Sequence, residues 1–216
     1  MAVTKKKKTP KNHSVKDIYE WKFDEVELDQ LWKDHLGDIP KGAKILVKGD
    51  AKNGKTEYLV RMCCAFMESS LKVNFNSPEQ GKSKSFQNAA IRNNLAQYMG
   101  LGKFIFCEKS QRAFEIWFRR LCQPNSGNVC VLDSADYMNL TVEQMKLLFE
   151  RFPNKIIIIV SWKANPNLKK FEHLVDAIID VKDFKASPVG RFGGWKELII
   201  WDKKGPKQLN NQLTLL

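Results

Sequence analysis

The chain has 216 residues, 43% of them hydrophobic, which is enough to bury the core of one domain and excludes a chain that is disordered throughout. No apolar run approaches the roughly 18 residues of a membrane span, and residues 1–11 lack the apolar core of a signal peptide, so we expect a cytoplasmic protein with no membrane partner. The net charge of +12 favours an anionic partner, of which nucleic acid is the usual one.

The first 36 residues divide into two parts. Residues 1–14 carry four consecutive lysines and no apolar periodicity, which predicts a disordered basic arm, either a contact for nucleic-acid phosphates or a solubilising tail. Residues 15–36 mix hydrophobic and charged side chains and predict an amphipathic segment that packs on the main domain. Trp21 and Trp32 could alternatively form a docking surface for a neighbouring subunit.

A glycine-flanked loop follows the first predicted core strand, residues 45–47. Residues 49–56 read Gly-Asp-Ala-Lys-Asn-Gly-Lys-Thr and match the P-loop pattern G-x-x-x-x-G-K-[ST]. Its backbone N–H groups and the start of the next helix predict a polyphosphate site, and the alternative is a coincidental glycine turn. Lys55 would bind the β- and γ-phosphates of ATP, and the Thr56 hydroxyl would ligate Mg²⁺. The predicted nucleotide-binding residues are Gly49, Asp50, Ala51, Lys52, Asn53, Gly54, Lys55, Thr56 and Glu57.

After the P-loop, predicted helices and strands alternate along the chain. We predict helices at residues 57–69, 83–98, 113–121, 142–152 and 168–174, and strands at residues 73–75, 103–107, 129–133, 156–160, 177–181 and 198–201. This alternation predicts an α/β fold in which a mostly parallel sheet is covered on both faces and binds its ligand beyond the carboxyl ends of the strands. The predicted core domain covers residues 37–205, and a tail covers residues 206–216.

Two acids follow predicted strands and are candidates for the chemistry. Asp133 ends a strand of four apolar residues and would hold Mg²⁺ with Thr56, although an acid that merely ends a strand is common. Glu79 would orient and partly deprotonate the attacking water, and the alternative is a solvated turn acid. Weaker rivals for that role are Gln80, Asp50 and Glu108.

A glycine-rich loop at residues 188–196 contains Arg191 and Lys196. Such a loop can present a cation to a phosphate of its own chain or of a neighbour, or it can be a surface hairpin. The five cysteines form no CxxC pair, which predicts reduced thiols and no zinc site. His173 is predicted to pack or to cap a helix.

The order of these motifs resembles the RecA superfamily of ATPases, and most closely the core of RadA-type DNA repair proteins, with DnaB helicases more distant. Residues 77–80, Ser-Pro-Glu-Gln, are similar to the segment with the catalytic glutamate, and residues 131–134 to a Walker B strand that ends in Asp-Ser. Residues 171–176 resemble a Leu-Glu-His-x-Val-Asp segment, and residues 191–193, Arg-Phe-Gly, a loop that senses ATP at subunit boundaries.

The chain departs from that pattern in two places. Val189 and Gly190 replace a lysine and an asparagine before Arg-Phe-Gly, and Trp162 replaces a threonine before Lys163. The segment between residues 160 and 173, where relatives hold a DNA-contacting loop, is short, although Lys163, Lys169 and Lys170 keep it basic.

The resemblance implies a RecA-like core that couples binding and hydrolysis of Mg-ATP to work on DNA in recombination, repair or replication. It also implies a homo-oligomeric ring or filament with active sites between subunits, in which Lys55, Glu79 and Arg191 are catalytic and Thr56 and Asp133 hold the metal. The first alternative is a nucleotide-gated DNA- or protein-binding module with negligible turnover. The second alternative is a partition or packaging motor, which would have a different sheet order.

Overall fold

A computed structural model describes residues 12–107 and 114–202. Most of the predicted basic arm, Glu108 and the predicted tail at residues 206–216 therefore lie outside the described residues. Within the described ranges, none of the helices has both the length and the apolar character needed to cross a membrane.

The described elements alternate between strands and helices, as the sequence predicts, from the first strand to the sixth; two helices follow the fourth strand, and the last three strands follow one another directly. The strands are β1 (Lys44–Lys48), β2 (Val73–Asn76), β3 (Phe104–Cys107), β4 (Val129–Leu132), β5 (Ile156–Ser161), β6 (Ala177–Lys182), β7 (Lys185–Gly190) and β8 (Leu198–Ile199). The α-helices are α1 (Val15–Tyr19), α2 (Gln30–Leu36), α3 (Lys55–Glu68), α4 (Lys84–Arg92), α5 (Phe114–Leu121), α6 (Ala135–Met138), α7 (Val142–Arg151) and α8 (Leu168–Glu172).

All eight strands form one sheet in the order β3-β2-β4-β5-β1-β6-β7-β8. The strands from β3 to β6 run parallel, whereas β7 and β8 continue the sheet in antiparallel register. The central strands β1, β4 and β5 are apolar, apart from a lysine at each end of β1 and a serine at the end of β5, because helices cover both faces of a parallel sheet. The predicted three-layer α/β fold with a mostly parallel sheet is confirmed.

Each face of the sheet has its own hydrophobic core, and alternate residues of β1 point into opposite cores. Ile45 and Val47 pack in the core under α2, α3 and α4, whereas Leu46 packs in the core under α5, α7 and α8. Tyr58 and Trp117, one in each core, are fully buried. This double packing holds β1 rigidly at the centre of the sheet, where it delivers the P-loop.

Glycines at both ends of the P-loop are required by the local geometry. A Cβ atom at Gly49 would lie 2.3 Å from the Val181 carbonyl oxygen of β6, so any side chain there would force the loop off the sheet. Gly54 precedes α3 with a φ of 88°, a conformation that side chains other than hydrogen disfavour. The two glycines therefore allow the chain to turn directly from β1 into α3.

Three elements differ from the sequence prediction. Residues 188–190, predicted as loop, belong to strand β7, where Pro188 pairs with Ile179. Proline and glycine are typical of loops, and these residues form a strand because β6 supplies their hydrogen-bond partners. The predicted helix at residues 83–98 breaks at Asn94, whose φ is 51°, before a short 3₁₀ turn at Leu95–Tyr98. Helix α6 was not predicted.

The amphipathic N-terminal segment packs on the domain only in its second half. Trp32 and Leu36 of α2 are buried against the core, as predicted. In the part of the chain that the structure describes, no residue of α1 is buried and Trp21 is 48% exposed. The prediction that the whole of residues 15–36 packs on the domain is therefore wrong for α1, which is too short to bury an apolar face.

His35 joins three separate segments of the chain inside the core. Its Nδ1–H donates to the Lys196 carbonyl at 2.6 Å, so its Nε2 accepts from the Tyr58 hydroxyl at 2.9 Å. Burial lowers the pKa of His35 below its ordinary value of 6.5, and the bond to the Lys196 carbonyl opposes this only in part. The imidazole is therefore neutral in the folded protein.

We expect the stability that His35 contributes to be complete above pH 6.5 and to fall as the pH drops below that value, because the unfolded chain then binds a proton that the folded chain resists. Melting temperatures measured between pH 7.5 and 5 test this, with about 2–4 °C lost for each kcal/mol. His35→Gln should flatten the dependence, whereas the exposed control His173→Gln should keep it. An unchanged pH profile in His35→Gln would contradict the assignment.

Candidate active site

The predicted site residues from three strands meet at the carboxyl edge of the sheet. The P-loop follows β1, Glu79 follows β2, and Asp133 follows β4, and all three strands are parallel. Together they line one cleft of about 440 Å³ that also runs along the start of α3. The cleft residues are Ala51, Lys52, Gly54, Lys55, Thr56, Glu57, Glu79, Gln80, Ser85, Ala89, Arg92, Asp133 and Trp201.

Lys55 is held at the floor of the cleft by the P-loop backbone. Its Nζ donates to the carbonyl oxygens of Gly49 at 2.9 Å and Asp50 at 2.8 Å, and the side chain is buried. Burial lowers the pKa of Lys55, and nearby acids, chiefly Glu79 and Asp133, oppose this. Because its neutral carbonyl partners carry no charge of their own, the ammonium is poised to pair with a phosphate in the loop.

Thr56 lies at the centre of a hydrogen-bond chain that links two loops. Its hydroxyl donates to Asp133 Oδ2 at 3.2 Å and accepts from Gln80 Nε2 at 2.7 Å. A hydroxyl and a carboxylate oxygen in contact are the hard oxygen donors that Mg²⁺ prefers, and Mg²⁺ commonly takes only one or two protein ligands beside phosphate oxygens and waters. These residues therefore fit the metal that the P-loop pattern implies.

Asp133 is a buried acid that lies close to a second acid. Burial raises the pKa of Asp133 to about 7, and the negative charge of Glu79 adds to this, while the Thr56 hydroxyl and Lys55 act in the opposite direction. The Glu79 backbone N–H also donates to the Asp133 carbonyl at 3.4 Å. The cleft thus concentrates negative charge where a cation would be stabilised.

Glu57 and the apex of the P-loop have distinct environments. The Glu57 carboxylate lines the cleft but is only 4% exposed, and it accepts from Arg92 Nη2 at 2.6 Å and from Asn93 Nδ2 at 2.7 Å. It therefore ties α4 to α3 at the cleft wall.

Asp50, Ala51 and Lys52 are exposed at the apex of the P-loop, and Asn53 is half-buried.

Four cleft residues, Ser85, Ala89, Arg92 and Trp201, were not predicted from the sequence, and Arg92 and Trp201 lie against each other. The Arg92 guanidinium lies 5.5 Å from the centre of the Trp201 ring, and Phe184 packs against the same ring at 5.2 Å. Neither residue belongs to a motif. Their position depends on how α4 and the segment after β8 pack against α3, which no local pattern reveals.

Arg191 lies at the edge of the sheet opposite to the P-loop. Its backbone N–H donates to the Asp176 carbonyl at 3.1 Å, and the Asp176 N–H donates to the carbonyl of Lys44, the first residue of β1. The P-loop begins at Gly49, at the other end of β1. Because a strand rises 3.3 Å per residue, Gly49 lies about 16 Å from Lys44 along the strand. The side chain also points toward Asp176, 3.5 Å away. Of the three predicted possibilities, this position contradicts contact with the nucleotide of its own chain, whereas contact with a neighbour's nucleotide and a plain surface loop stay predictions.

The segment after β5 is held by hydrogen bonds and an ion pair. Asp136 accepts from the Trp162 backbone N–H at 2.9 Å and from Asn165 Nδ2 at 2.7 Å. Lys163 pairs with Asp180 at 2.8 Å, so its positive charge is largely neutralised. The basic character that the sequence suggests for this segment thus rests on Lys170 and on Lys169, which is 90% exposed and lies 3.9 Å from Glu172.

The sheet order and the cleft define a P-loop protein with a RecA-like core. Among solved structures, the chain is similar to flagellar accessory protein FlaH from Methanocaldococcus jannaschii, with a TM-score of 0.62 and 16% identity over 80% of this chain and 91% of that one. It is also similar to KaiC-like protein PH0186 from Pyrococcus horikoshii OT3, with a TM-score of 0.55 and 14% identity over 82% and 93% of the two chains.

No family profile and no curated protein sequence matches the chain. The structural likeness shows the RecA-like fold and does not single out the RadA branch. The partition or packaging alternative predicted a sheet order different from that of a RecA-like core, and the structural likeness is to a RecA-like fold.

Proposed function

We propose that this chain is a Mg-ATP-dependent ATPase whose complete active site forms between two copies of the chain, and that it couples turnover to work on DNA. The observation that carries the ATPase proposal is the chain of contacts among Thr56, Asp133 and Gln80 beside Lys55 and Glu79. A P-loop alone would explain phosphate binding. Hydrolysis also requires an acid that positions water, and Glu79, which follows β2, lies beside the proposed metal ligands.

Each residue has a role that follows from its position. The P-loop N–H groups and Lys55 bind the phosphates and neutralise the charge that develops on them. Thr56 and Asp133 would hold Mg²⁺, which when bound supplies charge neutralisation at the phosphate oxygens. Glu79 orients the attacking water and accepts its proton. Asp133 is less suited than Glu79 to accept the proton of the water, because its hydrogen bond with Thr56 places its carboxylate where Mg²⁺ would bind.

Arg191 is proposed to act on the nucleotide of a neighbouring copy. This predicts that mixing two inactive variants restores ATPase activity. The Glu79→Gln chain supplies an intact Arg191, and the Arg191→Ala chain supplies an intact Glu79. At an equal mixture, about a quarter of the interfaces in a head-to-tail assembly combine both intact residues. Steady-state ATPase assays of the mixture measure the recovery. Strictly additive rates from the two variants would contradict action in trans.

The proposed work on DNA is supported by the net charge of +12 and by the resemblance of the sequence motifs to those of RadA-type proteins. Binding of a fluorescent single-stranded oligonucleotide across a salt series tests it, because log affinity falls linearly with log salt when phosphates are neutralised. Deleting residues 1–11, which contain five lysines, should make the slope shallower. An unchanged slope would show that the arm does not contact phosphates.

The second candidate function is a nucleotide-gated binding module with negligible turnover. It is favoured by the remote position of Arg191 and by the ion pair that neutralises Lys163. ATPase rates measured over a range of protein concentrations, with and without single-stranded DNA, separate the two functions. A rate per chain that rises with concentration supports the ATPase, and a flat near-zero rate together with tight ATP binding supports the module.

A further inference from the structure

The loop that follows β7 holds a large apolar side chain in solvent. Trp195 is 73% exposed, and it lies four positions after Arg191, which is at most about 13 Å along the chain. Val189, on the other side of Arg191, is 70% exposed. An exposed tryptophan next to the cation that a neighbour needs is the combination found at the anchor points of protein interfaces.

The base of this loop is rigid. The backbone N–H groups of Trp195 and Lys196 both donate to the Asp34 carbonyl, at 3.0 and 3.1 Å, and the Lys196 carbonyl accepts from His35. Glycines allow the closest contacts, since a Cβ atom at Gly194 would lie 2.3 Å from the His35 carbonyl oxygen. The indole is thus presented from a fixed backbone, which reduces the ordering cost of docking it.

A groove at the carboxyl edge of the sheet has the features of a receptor for such a side chain. It has a volume of about 450 Å³ and lies between α6 and the segment after β5. Apolar atoms of Ala135, Leu140, Trp162, Ala164 and Pro166 line it. Tyr137, which is 39% exposed, packs edge-on against Trp162 at the rim, 5.6 Å between ring centres.

The groove lies directly beside the active-site cleft. Asp133 lines the cleft, and Ala135, two residues later, lines the groove. A partner that fills the groove with Trp195 therefore brings Arg191 to the neighbourhood of the γ-phosphate. The carboxyl edge carries Glu79, Asp133 and Asp136 beside Lys52 and Lys55, and its acids offer partners for the Arg191 guanidinium of the approaching loop.

We propose that Trp195 of one copy of the chain docks into the groove between α6 and the segment after β5 of a second copy. The inference rests on the proposed function, since it supplies the contact that delivers Arg191 in trans. The two surfaces differ, so the contact is head-to-tail and can repeat into a ring or a filament. The asparagine-rich rim at Asn139, Asn165 and Asn167 could alternatively receive nucleic-acid bases. The groove lining contains no lysine or arginine for phosphates, which favours the second copy.

Photo-crosslinking of the full chain tests the docking directly. Trp195 is replaced by the aromatic photo-crosslinker p-benzoylphenylalanine, and the protein is irradiated with Mg²⁺ and a non-hydrolysable ATP analogue. We expect a ladder of dimers and larger species whose crosslinked peptides map to residues 135–141 and 162–167. The matched control places the same group at Met99, which is 81% exposed and precedes β3 at the opposite edge of the sheet; it should not label the groove.

Sedimentation of variants provides the second measurement. Trp195→Ala should weaken self-association by about 5- to 30-fold, the range of an interface anchor, while Trp195→Phe and Met99→Ala should stay within about twofold of the parent. Crosslinks that map elsewhere, an unchanged association constant for Trp195→Ala, a chain that stays monomeric, or protection of the groove by single-stranded oligonucleotide but not by a second copy would each overturn the docking proposal.

The two proposals fail in distinguishable ways. A chain that binds ATP and hydrolyses it without assembling through Trp195 retains the ATPase proposal and loses the docking. A chain that forms the Trp195 crosslinks but shows no turnover at any concentration retains the docking and loses the ATPase proposal.

Discussion

Replacing Lys55 with alanine is expected to abolish ATP turnover and to weaken ATP binding about 10- to 100-fold, the scale of one or two charge-assisted hydrogen bonds. The physical reason is the position of the ammonium, which the Gly49 and Asp50 carbonyls hold inside the P-loop at 2.9 and 2.8 Å. Loss of one pre-positioned donor also removes about 10²- to 10³-fold of transition-state stabilisation. Titration with a fluorescent ATP analogue and a phosphate-release assay measure the two effects separately.

Lys52→Ala is the matched control for this variant. It removes the same charge from the same loop, but Lys52 is exposed at the apex and makes no contact with the loop carbonyls. We expect its effect on turnover to be less than about tenfold, because an exposed lysine gains little from a single ion pair. Equal losses in the two variants would show that general charge, and not the buried Lys55, determines binding. Circular dichroism checks that both variants fold.

Replacing Glu79 with glutamine is expected to cut turnover by about 10²- to 10⁴-fold, the usual contribution of a general base, with ATP affinity within about twofold of the parent. The carboxylate is needed only when the attacking water loses its proton, so the substitution removes an interaction of the transition state and not of the bound nucleotide. The isosteric amide keeps the volume and most hydrogen bonds of the side chain. Single-turnover assays at saturating Mg-ATP measure the chemical step.

Asp50→Asn tests the nearest rival for the same role. Asp50 is exposed in the P-loop, and its carbonyl, not its side chain, contacts Lys55. We therefore expect Asp50→Asn to retain at least about half of the parental rate, since an exposed group contributes little to a preorganised site. Parental turnover in Glu79→Gln, or a loss confined to Asp50→Asn, would assign the water-orienting role to a different residue.

The central strands of the sheet and the main residues of the candidate site could be predicted from the sequence, because both depend on local patterns. The apolar runs of β1, β4 and β5 read as buried strands, and the glycines of the P-loop occur where a close approach and a positive φ require them. Glu79 and Asp133 could be placed near the P-loop because parallel strands bring their carboxyl ends to one edge of the sheet.

Other features depended on pairings between distant segments. Strand β7 contains Pro188 and ends at Gly190, both unfavourable signals for a strand, and it forms because β6 supplies its hydrogen-bond partners. Arg92 and Trp201 reach the cleft through the packing of α4 and the segment after β8. Three side chains of α1, Val15, Ile18 and Tyr19, and the side chain of Trp195 are hydrophobic, yet they lie in solvent because no element of the described chain covers them.

The proposed phosphate-binding site could be predicted from eight consecutive residues, since a P-loop is built from its own backbone N–H groups and its own lysine. The position of Arg191 could not be predicted in this way, because it depends on the antiparallel register of β7 with β6, which carries the arginine to the edge of the sheet opposite to the P-loop. A local motif can specify what is bound. The side of the molecule on which Arg191 lies is set by long-range strand pairing, and for this reason our proposal assigns it to the site of a second copy of the chain.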